Sequence, residues 1–102
     1  MSDKITCRTP SADKPGTTAI PRWKFEACER AVREALEASD EPMGSMALMR
    51  AACERLEAGL SPEELERLGS PSWHATTVRL EMEVRGEIER VSDKPVRLRL
   101  VR

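Results

Sequence analysis

The hydrophobic period of the chain changes at Gly86, and this change constrains the fold more than any other feature of the sequence. Before Gly86, apolar residues recur at spacings of three and four, which predicts a helix over about 71–85. After it, residues 87–91 and 96–101 have the apolar pattern of short strands, joined by a turn at 92–95. The last third of the chain is therefore predicted to be a helix followed by a β-hairpin.

A strong helix-start signal stands before that helix. Ser61 is the predicted N-cap, Pro62 the first helical residue, and Glu64 the residue that completes a capping box. Gly69 is placed to end this short helix, which would span about 62–68. The following Ser70-Pro71 begins the helix over 71–85 in the same capped manner.

Two further helices are predicted in the first half of the chain. The helix over about 21–38 has its apolar residues on one face and opposite charges four residues apart on the other. The helix over about 45–57, with Ser45 as its N-cap, has a buried stripe of Met49, Ala52, Cys53 and Leu56. Residues 1–16 are polar and have no helical period, so they are predicted to be disordered or loosely attached, with Cys7 exposed. Residues 17–20 are expected to lie extended against the domain.

Several segments resemble known bacterial proteins. The stretch Leu60-Ser61-Pro62-Glu63-Glu64-Leu65-Glu66-Arg67-Leu68-Gly69 resembles the helix-turn-helix entry of many bacterial regulators, and residues 85–91 with 96–100 resemble their wing. The resemblance implies a mainly α fold with a small β-hairpin, a winged helix-turn-helix with an additional N-terminal helix, forming one domain over 17–102.

A narrower resemblance extends over about residues 14–102. The segments Pro15-Gly16-Thr17-Thr18, Lys24-Phe25-Glu26-Ala27, and Trp73 followed by residues 77–86 are similar to a family of small uncharacterised bacterial proteins. This resemblance implies that the leading helix belongs to the domain. It implies no function, because fold does not specify function.

The first functional hypothesis is regulatory binding of double-stranded DNA. The helix over 71–85 would enter the major groove, and its polar strip has one arginine and small hydroxyls that can contact bases. The outer face of the hairpin is basic and would contact phosphates or a minor groove. The predicted nucleic-acid contacts are Ser72, Thr76, Arg79, Lys94, Arg97 and Arg99.

Other features of the sequence weigh against DNA binding. The net charge is −1, and the chain contains no asparagine or glutamine to read a base. Glu83 lies in the same polar strip as Arg79 and would repel a phosphate. The arginines of the last strand have an alternative role, because they can pair with Glu87 and Glu89 across the hairpin.

The alternative hypothesis is a protein-interaction or dimerisation module without nucleic-acid binding. Trp73, Thr77, Leu80 and Val84 fall on one face of the helix over 71–85, whereas Ala75, Val78 and Met82 fall on the opposite face. A helix that is apolar on two sides needs two neighbours; if the leading helix does not cover the second face, a partner protein or a second copy would. The predicted protein interface consists of Val78 and Met82.

An enzyme is not expected. His74 is the only histidine, and the three cysteines lack metal-ligand spacing, so no metal and no cofactor are predicted. No catalytic motif and no small-molecule substrate are evident. The sequence shows neither a signal peptide nor a membrane span, and a cytoplasmic bacterial protein is the expectation.

Overall fold

A computed structural model of the protein describes residues 3–10 and 16–101. Two antiparallel sheets and four helices make up the described chain. The elements in chain order are β1 (Lys4–Arg8), β2 (Thr17–Pro21), α1 (Arg22–Glu37), β3 (Met43–Gly44), α2 (Ser45–Gly59), α3 (Pro62–Leu68), α4 (Pro71–Val84), β4 (Ile88–Asp93) and β5 (Val96–Leu100).

The predicted helices are present, and the capping box of α3 is confirmed. The Glu64 backbone N–H donates to Ser61 Oγ at 3.1 Å, and the Ser61 N–H donates to Glu64 Oε1 at 2.9 Å. These two bonds satisfy donors that a helix start leaves without intrahelical partners. The predicted cap of α2 is wrong, because Gly44 occupies that position and no side chain caps the helix.

The C-terminal hairpin carries a third strand that the sequence does not reveal. The sheet order is β3-β5-β4, and Met43 of β3 pairs with Leu98 of β5. A strand of two residues is too short to show an alternating pattern, which explains why it is missed. A bulge between Arg90 and Ser92 interrupts the β4–β5 register.

The prediction of a loosely attached segment over 1–16 is wrong for residues 4–8. These residues form β1, which pairs with β2 along its whole length. Cys7, expected to be exposed, is only 3% exposed and belongs to the core. Residues 1, 2 and 11–15 of that predicted segment lie outside the described residues. The extended conformation expected for residues 17–20 is confirmed by β2.

The core lies where α1, α2 and α4 pack against one another and against the inner faces of the sheets. Within α2 the fully buried residues are Leu48 and Ala52, with Leu56 almost as deep. Met49 and Cys53, predicted to be buried there, are only half-buried. The predicted burial of Ala52 and Leu56 is confirmed, and Leu48 takes the place of Met49, because α1 and α4 approach α2 from that side.

Replacement of Cys7 by serine tests whether β1 belongs to the core. We expect Cys7→Ser to lower the free energy of unfolding by about 1–3 kcal/mol, because a buried hydroxyl without a partner costs about that much. The half-buried Cys53 provides the matched control, and Cys53→Ser is expected to cost clearly less. Urea denaturation under reducing conditions measures both. Equal losses for the two variants would contradict the burial of β1.

Candidate functional site

Helix α4 has two apolar faces, as predicted, but the buried one differs from expectation. Ala75, Val78 and Met82 are each 0% exposed and pack against α1 and α2. The predicted protein interface of Val78 and Met82 is therefore wrong, because both side chains are used inside the chain itself. The face that remains at the surface carries Trp73 and Thr77, with Leu80 and Val84 further along.

The polar strip predicted to read DNA is turned towards α2 and β4. Thr76 Oγ1 donates to the sulfur of Met49 on α2 at 3.1 Å. Arg79 is 8% exposed, and its Nη1 donates to Glu83 Oε2 at 2.7 Å. Ser72 alone of the strip's three predicted contacts is exposed. Arg79 is consequently held within the fold and is not open to a base edge.

Glu83 joins α4 to strand β4. Its side chain is 7% exposed and binds two arginines, Arg79 on its own helix and Arg90 of β4. Arg90 Nη2 lies 3.1 Å from Glu83 Oε1. The Nε atom of Arg79 is buried and has no hydrogen-bond partner among the described residues. The arrangement favours a structural role for both arginines.

The predicted contacts of the wing fall into two groups. Arg99 forms an ion pair with Glu89 of β4, as the cross-strand alternative predicted. Arg97 and Lys94 are exposed, and neither forms an ion pair within the described part of the chain. Of the predicted contacts on the β4–β5 hairpin, Lys94 and Arg97 are therefore the two without an ion pair among the described residues.

Glu81 is a buried carboxylate that the sequence does not reveal. Its side chain is only 1% exposed. Oε1 accepts the backbone N–H of Arg8 at 2.8 Å and its Nε–H at 3.1 Å. Oε2 accepts Nη2 of Arg8 and Nε of Arg85, each at 2.8 Å. These bonds attach the edge of β1 to the side of α4.

Hydrogen bonding determines the protonation of Glu81. Burial alone raises the pKa of this carboxyl group, but the hydrogen bonds from Arg8 and Arg85 outweigh burial and lower its pKa to about 2. Arg85 also lies over the ring of Phe25, 4.8 Å from the ring centroid, and so connects this charge cluster with α1. Glu81 is therefore ionised at neutral pH, and its charge is compensated by both arginines.

The outer face of α4 borders a groove whose other wall is the β1–β2 hairpin. We call this the α4 groove; its volume is about 240 Å³, and its lining includes Trp73, Thr77 and Leu80 of α4 with Arg8, Thr9 and Thr18 of the hairpin. A second depression of about 500 Å³ adjoins it, sharing Thr9 and Leu80 and reaching Arg90. The two together form an elongated surface feature along α4.

Trp73 is the most prominent residue of the α4 groove. It is 50% exposed, and its ring meets the edge of His74 at a centroid distance of 4.8 Å. Ser70 fixes this turn, since its Oγ accepts the Trp73 backbone N–H at 3.2 Å and its carbonyl bonds His74 Nδ1 at 2.8 Å. A large aromatic side chain is thus held at the surface by an ordered helix start.

The three thiols have no reactive environment. Burial raises the pKa of Cys28 to about 12, and burial also raises the pKa values of Cys7 and Cys53. Thiolate is the reactive form of cysteine, so these side chains behave as small apolar groups. Within residues 3–10 and 16–101, no cluster of histidine, cysteine and carboxylate side chains could hold a metal ion.

Comparison with known families identifies the family to which the chain belongs. Residues 4–98 match the family described as "Family of unknown function (DUF6958)". The chain belongs to this family. The DUF6958 match begins at the first residue of β1 and ends within β5, so it includes the hairpin that walls the α4 groove. Comparison with curated proteins and with solved structures finds no match. No helix in the described part of this DUF6958 chain is long and apolar enough to cross a membrane.

Substitution of Glu81 tests the clamp between β1 and α4. Glu81→Gln is expected to lower the free energy of unfolding at pH 7 by about 3 kcal/mol, which corresponds to a pKa lowered from 4.5 to about 2. The control is Glu89→Gln, because Glu89 is 42% exposed in its pair with Arg99. An exposed pair of this kind contributes less than about 1 kcal/mol.

The stability difference between the wild type and Glu81→Gln should depend on pH, and the direction of this dependence is defined. The pKa of Glu81 is depressed on folding, so its contribution is fully present above about pH 4.5 and is lost as the pH falls towards 2. Urea denaturation between pH 7 and about pH 2.5 should show the wild type approaching Glu81→Gln. A stability difference that stays constant over this range would rule out the ionised clamp.

Proposed function

We propose that this DUF6958 protein is a winged helix that serves as a protein-interaction module, with the α4 groove as its contact surface. One observation carries the proposal: the surface-facing side of α4 is apolar, whereas its polar strip is occupied inside the fold. In a winged helix, α4 occupies the position of the recognition helix. Its outer face therefore indicates what kind of partner the protein binds.

The winged-helix interpretation is supported by the order of the elements. A short capped α3, a longer α4 and the β4–β5 hairpin follow one another, as expected for a helix-turn-helix with a wing. Gly69 ends α3 and Gly86 follows α4, both with positive φ, at 82° and 78°. Glycine adopts this conformation without the steric cost of a side chain, so both positions suit tight turns between elements.

The chemistry of the α4 groove suits a protein segment. Trp73 supplies a large aromatic surface, and residues of this type are enriched among those that dominate binding energy at protein interfaces. Leu80 is shared by the two adjoining depressions, so apolar contact continues along the helix. The α4 groove and the adjoining depression extend along the helix, a shape that suits a segment of a partner protein with one side chain anchored beside Trp73.

DNA binding through the wing is the second candidate. It is supported by the exposed Lys94 and Arg97, which form no ion pair in the described residues. Each phosphate neutralised adds to the salt dependence of binding, and two cations give a slope of about −2 in log affinity against log salt. The remaining predicted contacts give this candidate less support, since Arg79 is buried and Arg99 is paired.

Selection from a displayed random-peptide library tests the protein-interaction proposal. The variant Trp73→Ala/Thr77→Lys removes the aromatic anchor and places a charge in the α4 groove. Enriched peptides are expected to bind at least tenfold more weakly to this variant than to the wild type, a loss of about 1.4 kcal/mol or more. Isothermal titration calorimetry with the synthesised peptides measures the affinities.

The matched control is Met46→Ala, which removes another exposed apolar side chain, 78% exposed, from α2. It should leave peptide affinity unchanged. Peptides that bind all three proteins equally would contradict the assignment to the α4 groove.

An NMR titration with mixed-sequence duplex at low salt tests the second candidate. It would favour DNA binding if the Lys94 and Arg97 amides shift and no peptide is enriched.

A further inference from the structure

The last strand has an open edge beyond β3. Pairing between β3 and β5 ends at Met43 and Leu98, because β3 has only two residues. The Val101 N–H donates to the Glu87 carbonyl at 3.0 Å on the β4 side. Backbone groups of successive strand residues point to alternate sides, so the N–H and C=O of Leu100 point away from β4. They lie past the end of β3, on the uncovered edge of the sheet.

A cleft of about 610 Å³ lies beside this edge, between β5, the C-terminal end of α1 and residues 39–42. We call it the β5 cleft. Its apolar lining comes from Leu36, Leu98 and Leu100, and its carboxylates come from Glu37, Asp40, Glu41 and Glu89. Val101, another lining residue, is 47% exposed.

Three of the four carboxylates that line the β5 cleft are uncompensated. Glu37, Asp40 and Glu41 form no ion pair within the described part of the chain, unlike Glu81, Glu83 and Glu87. Among the described residues, Arg99 is the one cation that lines the cleft, and it is paired with Glu89. The local charge is therefore negative, and it stands next to unpaired backbone groups and apolar side chains.

We propose that the β5 cleft binds an extended segment of a partner protein in which apolar and basic residues alternate. The segment adds a strand to the edge of β5 at Arg99–Val101, where the N–H and C=O of Leu100 pair with it. Main-chain bonds supply affinity in this mode of recognition, and alternate side chains supply specificity. Apolar side chains of the segment face Leu36 and Leu100.

The negative charge of the β5 cleft favours a partner segment with basic side chains. Successive side chains of a strand point to opposite faces, so one set enters the apolar floor while the other meets the carboxylates. Lysine or arginine in the second set pairs with Glu37, Asp40 and Glu41, whereas an acidic segment is repelled. The proposal is independent of the α4 groove, which lies on different elements.

An NMR titration with a short blocked peptide that alternates valine and lysine tests the proposal on the full chain. The expected result is a saturable shift of the Leu100, Val101 and Glu41 amides. The variant Glu37→Gln/Asp40→Asn/Glu41→Gln should bind at least tenfold more weakly. Raising the salt concentration should also weaken binding, because the charges at the rim are exposed.

Two controls separate strand addition from simple charge attraction. A peptide of the same sequence, N-methylated at alternate residues on its bonding edge, keeps the charge but loses the main-chain donors, and should not bind. The protein control Glu57→Gln/Glu63→Gln/Glu66→Gln removes the same charge from exposed positions on α2 and α3, and should bind like the wild type.

Three outcomes would overturn the proposal. The first is equal binding of the methylated peptide, and the second is equal weakening by the two triple variants. The third is the absence of peptide-induced shifts together with self-association of the cleft variant. In that case the carboxylates serve only to keep an open sheet edge from pairing with other copies.

Discussion

A carboxylate taken out of water needs cations and hydrogen-bond donors in place of its lost hydration. Arg8 donates three hydrogen bonds to Glu81. Arg8 lies 73 residues earlier in the chain, so one cluster of charges joins the first strand to the last helix. The burial of Cys7 and the wall of the α4 groove follow from this attachment. Without Arg8, the negative charge on Glu81 would be buried with Arg85 alone as its partner.

Local signals predicted most of the fold. The bonds between Ser61 and Glu64 span three residues, so the capping box has a short sequence signature. The change of hydrophobic period at Gly86 is equally local and is visible in the sequence. The clamp at Glu81 has no local signature, since an isolated arginine in a polar segment looks like many others. β3 was missed for another reason, because two residues carry no period.

In the candidate site, the hydrophobic periodicity of α4 identifies its faces but not which face is buried. Helical spacing separated the Val78 face of α4 from the Trp73 face correctly, but it does not tell which face turns inwards. That choice depends on what packs on α4, and the hairpin that borders the Trp73 face was not predicted. For the same reason Arg79 was expected at the surface, whereas α2 and β4 cover it. Which residues of α4 are exposed to a partner therefore depends on tertiary contacts.

Glu81 and Glu83 are two positions apart on α4, and an α-helix turns by about 100° per residue, so their side chains leave the helix on nearly opposite sides. One carboxylate is attached to Arg8 of the β1–β2 hairpin and the other to Arg90 of the β4–β5 hairpin. The two sheets share no strand, yet side chains of one helix form ion pairs with both. Replacing both carboxylates would therefore remove side-chain bonds from α4 to the β1–β2 hairpin and to the β4–β5 hairpin at once.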